Sequence, residues 1–127
     1  MGQVNIPLHE LLGIKVLERS GSGRVLIHLP YRDDWLVTEQ PIRMIHGGIA
    51  AVLLDIATNF SVMEAVQGEA STVDLRIDYL RPLPPQDLYC EGRVLRAGQT
   101  LAVAEGDVRD ADGKQLALGR GTFRVFR

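Results

Sequence analysis

The sequence has 127 residues, of which 46% are hydrophobic and 24% charged, and its formal net charge at pH 7 is −2. We expect one domain spanning residues 1–127, because this length suits a single core and the composition excludes an intrinsically disordered chain. Lysines and arginines are scattered rather than clustered, which argues against nucleic-acid binding. With Cys90 as the single cysteine, the chain has no intramolecular disulfide, and the histidines lack metal-ligand spacing, so we expect no bound metal.

The first part of the chain predicts a short helix followed by a β-hairpin. Residues 7–14, PLHELLGI, are typical of a short helix that ends at Gly13. The segments IKVLERS and GRVLIHLP alternate apolar and polar residues on either side of a glycine-rich turn at residues 21–23, which predicts two paired strands. Residues 31–45 show no periodicity and are expected to be irregular. The N-terminal residues lack the features of a secretory signal, so we expect a cytoplasmic protein.

The segment from Gly47 to about Ala65 is the one long helical candidate, and it is apolar on almost every side. Asp55 is its only charged residue before Met63. On a helix, Asp55 shares one flank with a set of small or polar side chains, namely Gly48, Ala51, Val52, Asn59 and Val62. A helix that is apolar all round must be buried, so we expect a sheet to curl around it. The segment is too short, and too often interrupted by polar residues, for the prediction of a membrane span.

After this helix the hydrophobic pattern changes to period two. Val73, Leu75, Ile77 and Tyr79 are predicted to share one face of a strand, with the intervening residues on the other face. Three further strand-like runs follow, DLYCEGRVLR, TLAVAEGDVRD and KQLALGRGTFRVF. The predicted fold is therefore α+β, with strands before and after one central helix along the chain. Such a layout leaves the outer side of the sheet and one helix flank to be covered, so we expect a homo-oligomer.

Asp55 and the two glycines at the helix start are candidate functional residues. A carboxylate in apolar surroundings is unfavourable without partners, and aspartate is a poor helix former, so Asp55 has either a structural hydrogen bond or a catalytic role. The first N–H groups of a helix are unpaired and carry a partial positive charge. Gly47 and Gly48 would let a ligand approach these groups, although for a glycine pair taken alone close helix–sheet packing is the better explanation. His46 is expected to cap the helix or pack locally.

Together these residues resemble a known family. The segment HGGIAAVLLD, in which six residues separate the glycine pair from Asp55, is similar to the signature of hotdog-fold acyl-CoA thioesterases, in particular the PaaI-like (phenylacetate-degradation) group. The segments STVDLRIDYLRP and LRAGQTLAVAEGDVRDADGKQLALGRGTF also resemble strands of that group. The resemblance covers about residues 8–126. It implies a six-stranded antiparallel sheet wrapped around one long helix, in homodimers that pair again into tetramers.

The resemblance also implies a reaction and a set of residues for it. The substrate would be a medium-chain or aromatic acyl-CoA, hydrolysed to a carboxylic acid and free CoA without a further cofactor. Gly47 N–H would polarise the thioester carbonyl, Asp55 would act as general base or nucleophile, and Gln40 would orient water or substrate from across the dimer interface. Residues expected to position water or substrate are His46, Gly48, Asn59 and Thr72, and those expected to contact CoA phosphates are Arg81 and Arg120.

Several alternatives stay open on sequence grounds. The chain could be a non-catalytic acyl-CoA-binding hotdog module or a hotdog enoyl-CoA hydratase. Attack by water with Asp55 as base and a covalent anhydride through Asp55 fit the sequence equally well. Either Asn59 or Thr72 could hold the water, and Thr72 falls on the polar side of its predicted strand.

Overall fold

The computed structural model describes residues 6–38 and 43–127. The α-helices in these ranges are α1 (Pro7–Leu12) and α2 (Gly47–Val66), and Asp33–Trp35 form a short 3₁₀-helix. The strands are β1 (Lys15–Ser20), β2 (Arg24–Leu29), β3 (Leu36–Thr38), β4 (Met44–Ile45), β5 (Glu69–Tyr79), β6 (Leu88–Ala97), β7 (Leu101–Arg109) and β8 (Gln115–Phe126).

A six-stranded antiparallel sheet in the order β1-β2-β6-β7-β8-β5 wraps around α2, which confirms the predicted α+β architecture. The edges of this sheet are β1 and β5. The expectation of an irregular connection over residues 31–45 is wrong in part, because β3 and β4 pair there in a small second sheet. Strands of two and three residues are too short to show a hydrophobic period, so the sequence pattern could not reveal them.

Buried apolar side chains of α2 and the inner face of the sheet form the core. Cys90 on β6 is fully buried within it, and burial raises the pKa of its thiol. By length and hydropathy α2 could also cross a membrane, but 67% of that stretch is buried inside the domain. A core helix passes the same test, so this property is weak evidence for insertion into a bilayer.

Three glycines on neighbouring strands let α2 lie directly on the sheet. Gly92 on β6 pairs with Gly106 on β7, which pairs with Gly119 on β8. A Cβ atom at Gly92 would overlap the backbone of α2 at the Ala57 carbonyl. At Gly106 and Gly119 a Cβ would lie 3.2 to 3.4 Å from the Leu54 side chain. The glycine row therefore sets the depth of the helix, and with it the position of the polar helix flank.

A β-bulge in β5 changes which side chains face α2. Thr72 pairs with Phe123 of β8, but Asp74 pairs with the next residue, so Val73 is extra in the ladder. One extra residue reverses the alternation of a strand. The prediction that Val73 shares a face with Leu75 is therefore wrong, because Val73 is 60% exposed. Thr72 instead lies on the inner side, facing the helix.

Candidate active site

Asp55 lies on the flank of α2 that faces the bulged part of β5. Thr72 Oγ1 donates a 2.6 Å hydrogen bond to Asp55 Oδ1. One turn further along α2, Asn59 Nδ2 donates a 3.0 Å hydrogen bond to the Ala70 carbonyl. In residues 6–38 and 43–127, no side chain donates to the second oxygen, Oδ2. Thr72 thus fixes the carboxylate, while Asn59 anchors the strand to the helix.

Asp55 also borders a cavity of about 220 Å³ between α1, α2 and the start of β5. Its other lining residues are mostly apolar: Ile6, His9, Ile56, Asn59, Phe60, Met63, Glu69 and Ala70. The carboxylate therefore borders a small, mostly apolar cavity that also contains the polar side chains of His9, Asn59 and Glu69. This arrangement suits a reaction on a substrate with an apolar group next to the reacting atom.

His46 caps the start of α2. Its Nδ1 accepts a 2.9 Å hydrogen bond from Gly48 N–H, so that N–H is used within the helix start. The neighbouring Gly47 carbonyl accepts a 2.6 Å hydrogen bond from the Tyr79 hydroxyl. For Gly47 N–H, the described part of the chain offers no acceptor. This donor, at the positive end of the helix, is the one best placed to bind a ligand oxygen.

One of two adjoining cavities opens at the helix start. This cavity, of about 490 Å³, is lined by residues 44–47 and 79–83. The other, of about 440 Å³, shares Arg81 with it and adds Arg43 and Lys114. Because both cavities contain Arg81, a long ligand could extend from Gly47 past Arg81 to a cluster of positive charge.

Arg120 lies apart from Arg81. It is on β8, where its guanidinium forms a 3.5 Å ion pair with Glu105, and it lines a separate cavity with Asp74 and Arg76. The two arginines predicted to contact CoA phosphates therefore do not share a cavity. Another predicted site residue, Gln40, lies outside the described residues.

The helix start and Asp55 of one chain are too far apart along α2 to act on the same carbonyl group. Eight residues of α-helix rise about 12 Å along the axis, which separates Gly47 from Asp55 by this amount. A carbonyl bonded to Gly47 N–H is then out of reach of a water held by Asp55 of the same chain. A complete site needs both groups within a few ångströms of one carbonyl carbon.

The structure adds one residue that the sequence analysis left unassigned. His9 of α1 lines the cavity beside Asp55, and its ring contacts Phe60 edge-on at 5.4 Å between centroids. No short-range pattern could indicate this, because α1 and α2 are far apart in sequence. In the described ranges, no group of three His, Cys, Asp or Glu side chains is arranged to hold a metal ion.

Comparison with known proteins identifies the family. A family model described as the thioesterase superfamily matches residues 43–117. The chain is 37% identical, over 130 residues, to a protein of Halobacterium salinarum provisionally named an esterase, covering 94% of this chain and 85% of that protein. It is 29% identical over 137 residues to the medium/long-chain acyl-CoA thioesterase YigI of Salmonella typhimurium, covering 95% and 86%.

Solved structures agree with this comparison at the level of the fold. The PaaI protein of the Escherichia coli phenylacetic acid degradation operon superposes with a TM-score of 0.86 at 24% identity. The match covers 97% of this chain and 86% of that one. At this identity the likeness shows the fold alone.

Proposed function

Because the chain belongs to the thioesterase superfamily and is a thioester hydrolase, we propose that it hydrolyses the CoA thioester of a medium-chain or aromatic carboxylic acid. The observation that carries this proposal is the Asp55 carboxylate, held by Thr72 at the border of an apolar cavity. The similarity to YigI, a medium/long-chain acyl-CoA thioesterase by name, supports CoA as the thiol half of the substrate.

In the proposed reaction, water attacks the thioester carbonyl while Asp55 Oδ2 accepts the proton of the water. The oxyanion that forms accepts a hydrogen bond from Gly47 N–H and is stabilised by the positive end of α2. The intermediate then expels the CoA sulfur, which takes up the proton, and the products are the carboxylic acid and free CoA. A covalent anhydride through Asp55 would use the same groups, with the carboxylate itself attacking the carbonyl.

We propose that the working site forms between two chains of a homodimer. The offset of about 12 Å along α2 supports a site that takes Gly47 and Asp55 from different chains. The edge strand β5 has one unpaired side and carries exposed apolar side chains at Val73 and Tyr79, so it suits pairing with a second copy. Gln40 would then orient the water or the thioester from the chain that supplies Gly47. The tetramer implied by the family resemblance and the cytoplasmic location expected from the sequence both stay predictions.

For the CoA phosphates, we propose the cluster formed by Arg43, Arg81 and Lys114. Arg81 lines both adjoining cavities, the first of which contains Gly47, and Arg43 and Lys114 line the second. Positive side chains are the usual partners of phosphate groups in proteins. Arg120 is a weaker candidate, because it lines another cavity, which does not contain Gly47.

A panel of thioesters tests the proposed function directly. Purified protein is assayed with straight-chain, phenylacetyl and benzoyl thioesters of CoA, and release of free thiol is measured. We expect turnover of medium-chain or aromatic substrates, and lower KM values with CoA than with the matching pantetheine thioesters, which lack the nucleotide phosphates. Stoichiometric binding without thiol release would instead support a binding module, and hydration of enoyl-CoA would support a hydratase.

Loss of the Thr72 hydroxyl is expected to lower kcat by about 10- to 100-fold. This factor corresponds to the usual free energy of a hydrogen bond to a charged group. Thr72→Val keeps the shape of the side chain but removes the donor to Asp55 Oδ1. Thr72→Ser keeps a hydroxyl and should restore most of the activity. The matched control is Ser71→Ala, since Ser71 is exposed on the same strand. Full activity of Thr72→Val would contradict a role of Thr72 in the reaction.

A further inference from the structure

Helix α1 closes one side of the cavity beside Asp55. It is anchored by Leu12, which is buried in the main core. From the same helix, His9 extends into the cavity wall and contacts the Phe60 ring of α2 edge-on, with an interplanar angle of 70°. The cavity is therefore bounded by two aromatic rings from two elements, and its size depends on the side chain at position 9.

The cavity has the position and chemistry of a site for an apolar group. It begins at Asp55, where the proposed mechanism places the attacking water, so the acyl group bound to the reacting carbon would lie within it. Apart from Asp55, Asn59, His9 and Glu69, its lining is apolar. Its volume of about 220 Å³ is moderate. An apolar cavity of about 150 Å³ accepts benzene, so this one accommodates little more than a ring and a short linker.

We propose that this cavity binds the acyl group and that His9 is a specificity-determining residue, forming the α1 wall that limits acyl length. The limit is an aryl ring with one or two methylenes, or a chain of about eight carbons. This inference rests on the proposed thioesterase function. It goes beyond it by assigning acyl selection to a residue of α1, a helix separate from the one that carries Asp55.

The charge state of His9 is consistent with this role. Burial lowers the pKa of His9 below its ordinary value of 6.5, and the Asp55 charge opposes that shift. The carboxylates that line the same cavity are Asp55 from α2 and Glu69 from β5. Because its pKa is lowered, the ring is neutral at pH 7 and becomes a cation only in acid. A neutral imidazole suits an apolar neighbour, whereas a cation disfavours it.

Acyl-length profiles of position 9 variants test the inference. We measure kcat/KM for straight-chain acyl-CoA substrates of increasing length with wild type, His9→Ala and His9→Trp. His9→Ala enlarges the cavity, so its optimum should shift by two or more carbons, with a gain of about tenfold or more for chains that wild type rejects. His9→Trp should lose the longest chains accepted by wild type. The control, Leu11→Ala, truncates a 68% exposed side chain of the same helix and should keep the wild-type profile.

A pH series gives a second readout that a purely structural role would not produce. For wild type, KM for the preferred substrate should rise as His9 becomes protonated in acid, and His9→Phe should abolish that rise. Length and pH profiles that are the same in wild type and all position 9 variants would overturn the inference and leave the thioesterase function standing. If no thioester in the panel is hydrolysed, the proposed function and this inference both fail. Melting temperatures identify any position 9 variant that is misfolded, and the inference is then tested on the variants that remain folded.

Discussion

Replacing Asp55 with asparagine is expected to lower kcat by about 10²–10⁴-fold, the usual contribution of a general base. Asparagine has nearly the same shape as aspartate, and its side-chain oxygen can still accept the Thr72 hydrogen bond. Its amide cannot take a proton from water or attack the carbonyl. We therefore expect unchanged secondary structure and melting temperature, with the loss confined to thiol release measured at saturating acyl-CoA.

A control variant separates the role of Asp55 from a general effect of removing a negative charge. Asp78 lies exposed on β5, and Asp78→Asn should retain wild-type activity. Wild-type turnover by Asp55→Asn would contradict the assignment of Asp55 as base or nucleophile. Loss of activity together with loss of folded structure would instead identify Asp55 as a structural residue.

The same variant can test whether the site combines two chains. Gly47→Pro removes the N–H at the first helical position, where proline is tolerated, so it should inactivate the site that uses this donor. In a dimer of Asp55→Asn with Gly47→Pro, one of the two sites would contain both defects and the other neither. Co-expressed in equal amounts, the two inactive variants should recover about a quarter of wild-type activity. A site built within one chain would give no recovery.

The fold could be predicted well where a pattern extends over many residues. The long apolar run from Gly47 and the alternating strands after residue 86 were each sufficient to indicate their element. The bulge at Val73 could not be seen, because it exists only in the pairing of β5 with β8. It also decides the direction of Thr72, which strict alternation placed on the polar side of the strand. Because of this single extra residue, the alternating pattern could not predict that Thr72 contacts Asp55.

The candidate site could be predicted where one residue is out of place in its surroundings. Asp55 is such a residue, because a charge within an apolar helix is unfavourable without a reason. Arg81 and Arg120 were equivalent by sequence, and only the strand register shows that Glu105 lies beside Arg120. His9 carried no signal, because its contact with Phe60 depends on how α1 packs on α2. Contacts between distant elements were thus beyond the reach of local patterns.

Replacing Gly92 with alanine is expected to give the largest loss of stability, about 3 kcal/mol or more, as for severe overpacking of a core. The added methyl would overlap the Ala57 carbonyl, which belongs to the helix backbone and cannot rotate away. Relief requires α2 to move off the sheet. That movement breaks the core contacts of the helix and shifts Asp55 away from Thr72. Urea unfolding followed by circular dichroism measures the loss, and any folded fraction should also show reduced kcat.

Gly21→Ala is the matched control for this variant. Gly21 lies in the turn between β1 and β2, and a Cβ there would meet no atom within 4 Å. The same chemical change should therefore alter stability by no more than about 1 kcal/mol. If Gly92→Ala were as stable as Gly21→Ala, α2 could not rest on the glycine row. The position of Asp55 relative to β5 would then depend on other contacts, and the geometry derived for the site would lose its structural basis.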